Sequence, residues 1–220
     1  MSEKGKMIQL RGMSLFHSNL QEGTIFYNAE TVRALKLDAA IANGMYVLVD
    51  WHYTSDEIFE EAARQFFKEM STEYRGVPNV LYEIYNEPVI RANDKDAIII
   101  CGTPWYTLHF YASEGGADQL RKVVEIALKR KFPIFVTEHG LTLGTGDGPI
   151  NEKQTNLWWN LLDKYGISYI NWSICNKKEN SAALKPGSTP KDVWKDSALT
   201  NSGRIVKRML RSKNPVPAGC

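Results

Sequence analysis

The stretch VLYEIYNEP, residues 80–88, decides how the rest of the chain is read. It begins as the apolar run of a buried strand and ends abruptly in two polar side chains, Asn86 and Glu87, closed by Pro88. Such a strand delivers a carboxyl group to a rim. A second stretch, PIFVTEHG (133–140), has the same form: an apolar, β-branched run ending in Glu138, with a glycine two residues later. In a parallel α/β sheet or barrel the carboxyl ends of the strands open on one face, where sites are built. That arrangement allows the two glutamates to face each other. Two carboxylates about 5 Å apart are what retaining glycoside hydrolysis needs, one as proton donor and one as nucleophile.

Outward from residue 80, MYVLVDWH (45–52) is a strand ending in Asp50, Trp51 and His52, and residues 56–74 form an amphipathic helix with Ile58, Ala62, Phe66 and Met70 on one stripe. Residues 28–43 read as a helix stopped by Gly44. On the other side, AIIICGTP (97–104) and YTLHFYAS (106–113) are strands with no helix between them. A helical pattern covers 115–131 through Leu120, Val124 and Leu128; helices at 151–164 and 201–213 flank the last strand, ISYINWS. The strand candidates are 7–16, 45–52, 80–87, 97–102, 106–111, 133–138 and 167–173. Buried strands alternating with amphipathic helices are the signature of an α/β fold. The VIRANDKD segment (89–96) is too short for a crossover helix, because a parallel connection needs about a dozen residues.

Composition narrows the classes further. The 220 residues suffice for one domain with a sizeable core, and no repeat or linker divides them, so 1–220 is expected to be a single domain. Twenty-seven basic against 25 acidic side chains, with no one-signed run, exclude an electrostatic nucleic-acid surface. No apolar run is long enough to span a membrane, and MSEKGKMIQL lacks the core of a signal peptide. Cys101, Cys175 and Cys220 have no metal-type spacing and leave at least one thiol unpaired, which argues against a disulfide framework. The four histidines show no zinc spacing either.

Nine segments in order carry a resemblance: RGMSLF, FYNAETV, DAAIANGMYVLVDWH, PNVLYEIYNEP, IIICGTP, YTLHFYA, PIFVTEHG, ISYINWS and SAALKPG. Together they resemble glycoside hydrolase family 5, most of all its endo-β-1,4-glucanase (cellulase) branch, from about residue 8 to 211. The resemblance implies a (β/α) TIM-type barrel and cleavage of internal β-1,4 bonds in cellulose-like glucans by double displacement, without metal or organic cofactor. It makes Glu87 the acid/base and Glu138 the nucleophile. It gives Asn86 the sugar 2-hydroxyl, places His52, His109 and Tyr111 around the carboxylates, makes Trp172 the platform beneath the sugar, and adds Lys177 and Glu179 as substrate contacts. It further implies secretion and a monomer, although open strand edges would favour self-association.

The departures from the pattern count equally. The family's second strand, which ends in an arginine paired with the nucleophile, has no counterpart: Lys36 meets Leu37 directly. The helix after the Asn-Glu-Pro strand is reduced to VIRANDKD, the segment between IIICGTP and YTLHFYA is gone, and the usual aromatic after the nucleophile is His139. The barrel is therefore expected to be incomplete, with about seven strands. Two rival readings stay open, an impaired or inactive remnant of such an enzyme and a mannan- or xylan-cleaving relative. Taken singly, several residues also have plain readings. His17 and His139 suit hydrogen-bonded structural histidines, Trp158 and Trp159 suit helix packing, Trp105 is a weak glucan contact, and GTGDG (144–148) is a flexible loop rather than a phosphate cradle.

Overall fold

A computed structural model describes residues 8–17, 20–26, 45–52, 59–87, 105–193 and 195–213. In chain order the elements are β1 (Arg11–Leu15), the one-turn helix α1 (Gln21–Thr24), β2 (Val47–Asp50), α2 (Glu60–Glu73), β3 (Val80–Glu83), β4 (Tyr106–Tyr111), α3 (Ala117–Lys129), β5 (Ile134–Gly140), α4 (Glu152–Tyr165), β6 (Tyr169–Ile174) and α5 (Asn201–Lys213). The helix expected at 28–43, the strand expected at 97–102, the VIRANDKD segment and the Lys36–Leu37 junction lie outside the described residues. The chain forms two compact units, residues 1–31 with 105–220 and residues 32–104. No helix among the described residues is long and apolar enough to cross a membrane.

In the larger unit four parallel strands run in the order β1-β6-β5-β4. The central strand β5 is buried from Phe135 to Gly140, the continuous burial that a parallel sheet covered on both faces imposes. Its helix side is packed by α4, which buries Thr155, Trp158, Trp159 and Leu162, one stripe at helical spacing. Trp158 stacks on Phe110 of β4 with centroids 4.0 Å apart, so both tryptophans are core residues, as their helical setting suggests. The ends of α4 follow from its sequence. Asn151 accepts the N–H of Gln154 at 3.1 Å as an N-cap, and Gly166 stops the helix at φ 65°. Thr200 caps α5 in the same way by accepting the Gly203 N–H at 3.0 Å.

The opposite end of this sheet is tied by charge. Arg11 of β1 reaches Asp163 of α4 at 2.8 Å, Lys213 of α5 reaches the other oxygen at 2.9 Å, and the Tyr169 hydroxyl lies 3.1 Å from Arg11 Nε. Burial pushes the Asp163 carboxyl up, but hydrogen bonds from Lys213 and Arg11 outweigh it and hold the group below the usual carboxylate range.

The smaller unit contains the parallel pair β2-β3, in register from Val47↔Val80 to Asp50↔Glu83. Helix α2 packs on it through Phe66 against Trp51 (5.3 Å) and Phe67 against Tyr82 (6.1 Å). The stripe expected through Ala62 needs correction: Ala62 is exposed, and Ala63, Phe66, Phe67 and Met70 form the shielded face. Two aromatic rings side by side turn that face by one residue. The strand expected at 80–87 ends at Glu83, so Glu87 lies four residues beyond the ladder. Strand 45–52 is likewise trimmed to 47–50, whereas 133–138 extends to Gly140 and 167–173 becomes 169–174.

Candidate active site

Each unit carries part of the expected site, and the smaller one carries His52, Asn86 and Glu87. The chain leaves β2 through Trp51, whose N–H donates to the Glu83 carbonyl at 3.0 Å. His52 Nδ1 then lies 2.7 Å from Asp50 Oδ2. A carboxylate only accepts, so Nδ1 carries the proton in this contact. The sequence reading placed Asp50 at the end of this strand but gave it no role, although its spacing of two from His52 puts both on one side of an extended segment. Asn86 is buried at 4% exposure and Glu87 is exposed.

In the larger unit the decisive feature is a bulge in β5. Val136 pairs with Tyr169 and His139 with Asn171, three residues against two; on the β4 side Phe135 pairs with Thr107 and Glu138 with His109. Strand β5 therefore holds one extra residue relative to both neighbours. Strict alternation from Ile134 and Val136, which pack in the helix-side core, would send Glu138 into that core as well. The extra residue reverses the phase, so that His139 takes the helix side and Glu138 is presented to β4.

Tyr111 and His109 of β4 hold the bulge from the side. The Tyr111 hydroxyl donates to Glu138 Oε1 at 2.7 Å, and His109 Nε2 lies 3.1 Å from the Thr137 hydroxyl. Glu138 itself is buried at 8% exposure. Gly140 makes the tyrosine's reach possible: a Cβ there would sit 2.3 Å from Tyr111 Cε1. Thr137 was not singled out in the sequence, and Gly140 was noted there without a role, because register is a property of three strands together.

Trp172 sits in β6, buried among Phe16, Cys175 and Ala182 with Tyr111 against the cluster, and the rings of Phe16 and His17 are 5.5 and 5.4 Å away. Its peptide bond to Ser173 is cis. Lys177 Nζ pairs with Glu179 at 2.6 Å and lies 5.3 Å from the centre of the Phe16 ring. The hydrogen bond to Glu179 raises the lysine's pKa. Glu179 also accepts from Ser181 at 2.8 Å and rests on Gly146, where a Cβ would fall 2.9 Å from the carboxyl carbon. The glycine-rich segment is thus a turn bonded to the 179–181 loop, with Ser181 N–H donating to the Gly146 carbonyl at 2.8 Å. Within this unit the structure brings together His109, Tyr111 and Glu138, places Trp172 in the cluster that Tyr111 packs against, and pairs Lys177 with Glu179.

The chain matches the family model described as Cellulase (glycosyl hydrolase family 5) over residues 26–98 and 104–178. It is 38% identical to Endoglucanase A of Evansella cellulosilytica over 223 residues, covering 82% of this chain and 46% of that protein. With Endoglucanase Z of Dickeya dadantii it shares 33% identity over 282 residues, covering 96% and 64%. That alignment is longer than the chain's 220 residues, so the relative holds segments to which no residue here corresponds. The chain spans about half the length of the curated relatives it matches. A solved structure from Cytophaga hutchinsonii superposes with a TM-score of 0.86 at 30% identity, covering 97% of this chain and 92% of the other. The fold is accordingly α/β, of the (β/α) TIM-barrel type, with six strands among the described residues where a full barrel has about eight.

Proposed function

This chain belongs to the cellulase family, glycosyl hydrolase family 5, and from that premise we propose that it is a retaining endo-β-1,4-glucanase. In this reading Glu138 attacks the anomeric carbon of a β-1,4-glucan while Glu87 protonates the departing glycosidic oxygen. A water deprotonated by Glu87 then releases the covalent glycosyl-enzyme. Tyr111 steadies the nucleophile, Asn86 binds the 2-hydroxyl, His52 and His109 line the carboxylates, Trp172 supports the sugar, and Lys177 and Glu179 hold a neighbouring unit. The reading includes a secreted, monomeric catalytic domain over 1–220 that works without metal or organic cofactor.

The observation that carries it is the 2.7 Å hydrogen bond from Tyr111 to a buried Glu138 that the β5 bulge has turned out of the helix-side core. A carboxylate merely solvated at a rim needs neither the bulge nor the tyrosine. The test is hydrolysis of carboxymethyl cellulose by the purified chain beside its Glu138→Gln variant. Activity that vanishes in the variant supports the assignment, and equal rates overturn it. Mannan and xylan in the same assay decide the polysaccharide.

A second reading, an impaired remnant of such an enzyme, is favoured by the relatives' extra segments and by the missing arginine strand at Lys36–Leu37. A cooperatively folded parent with no turnover on any of the three polysaccharides would establish it.

A further inference from the structure

Strand β5 is held from its helix side as well as by Tyr111. His139, the residue after Glu138, is fully buried and engaged at both ring nitrogens. Nδ1 lies 2.8 Å from the Ile170 carbonyl of β6, which only accepts, so Nδ1 carries the proton. Nε2 accepts the indole N–H of Trp159 from α4 at 3.0 Å. The ring stacks on Phe110 of β4 at 5.1 Å, and the residue's own carbonyl accepts from Asn171 Nδ2 at 3.1 Å. One side chain therefore touches β4, β6 and α4 where β5 returns to register with β6, one residue past the carboxylate.

We propose that His139 is a positioning residue for Glu138: by fastening β5 to β6 and α4 directly beyond the bulge, it fixes the carboxylate where Tyr111 meets it. The inference rests on the reading of Glu138 as nucleophile. Burial keeps the ring neutral by pushing its pKa down to about 4. A proton on Nε2 would end the bond from Trp159, because a protonated nitrogen cannot accept. Among the described residues in contact with the ring, Tyr169 is the one other titratable group, edge-on at 5.6 Å, with its hydroxyl taken up by Arg11 and Asp163. Phe110 and Trp159 bring no charge.

The test uses the full chain with His139→Phe, which keeps a ring without hydrogen bonds, and His139→Gln, which keeps a donor and an acceptor. On a soluble cello-oligosaccharide, kcat of H139F is expected to fall at least about tenfold with KM within about twofold of the parent, since small misplacements of a reacting group cost rate more than binding. H139Q is expected to regain most of the loss. In a crystal structure of H139F the Tyr111–Glu138 separation is expected to open beyond about 3.5 Å. Parental kcat in folded H139F, or an unchanged 2.7 Å separation, overturns the proposal. If H139F does not fold, Trp159→Phe removes the indole donor alone: a loss of about threefold in kcat with a longer Tyr111–Glu138 contact supports the proposal, and no change in either overturns it. Failure of the underlying reading is seen separately, as parental turnover in Glu138→Gln.

Discussion

Acid should unfold this protein through His139. In the unfolded chain the imidazole titrates at its ordinary value of 6.5, and in the folded protein burial lowers it to about 4. Between those values the unfolded chain holds the extra proton, so stability is complete above about pH 6.5 and is lost as pH falls toward 4. The difference amounts to about 3 kcal/mol by pH 4, a large part of the 5–15 kcal/mol that holds a typical domain together. Other groups weaken the fold in acid too. Asp192 is held at about 2, chiefly by the Thr189 hydroxyl, and Asp163 and Asp196 are also depressed, but these titrate below about 3.8. They are common to parent and variant and cancel in the comparison. Urea unfolding of the parent and of His139→Gln at about pH 7, 5.5 and 4 isolates the histidine. The parent's stability relative to the variant should drop by about 3 kcal/mol across the series. Parallel curves, within about 0.5 kcal/mol, would refute the reasoning.

Three further outcomes are expected. Gly140→Ala drives a Cβ into the Tyr111 ring and should cost about 1–3 kcal/mol, read as a lower Tm, with most of the cost relieved in a Tyr111→Ala background. Tyr111→Phe removes a hydrogen bond to a charged group, and kcat on carboxymethyl cellulose should fall roughly tenfold to hundredfold with little change in Tm. Asp163→Asn breaks the tie among β1, α4 and α5; denaturant unfolding near neutral pH should show a loss of about 1–3 kcal/mol. No loss would assign that cluster to the solvated surface.

The periodic elements were legible in the sequence because their causes are local. Asn151 and Gly166 bound α4, its stripe of Trp158, Trp159 and Leu162 declares a buried face, and the limits of α5 match the reading residue for residue. Glu138 and Tyr111 were singled out through the resemblance, and the structure places a hydrogen bond between them. What stayed hidden depends on more than one strand. The bulge at Thr137 exists only relative to β4 and β6, and the role of Gly140 only relative to the Tyr111 ring. The end of β3 at Glu83 could not be read either, since an apolar run through Ile84 and Tyr85 does not reveal where its neighbour stops pairing.

The bulge also makes Glu138 answerable for the shape of its own strand. β5 is two alternating halves joined out of phase, and the same residues could run as one regular strand with the halves in step. In that strand the carboxylate would enter the aromatic layer of Phe110 and Trp158, and His139 would take its place on the other face. Burying an unpaired carboxylate there is costly enough to forbid it. The polar group that the proposed chemistry needs is thus also what keeps the strand kinked. Glutamine at 138, still polar, should keep the kink, whereas leucine or methionine would remove the penalty on the regular strand and let fold and function fail together.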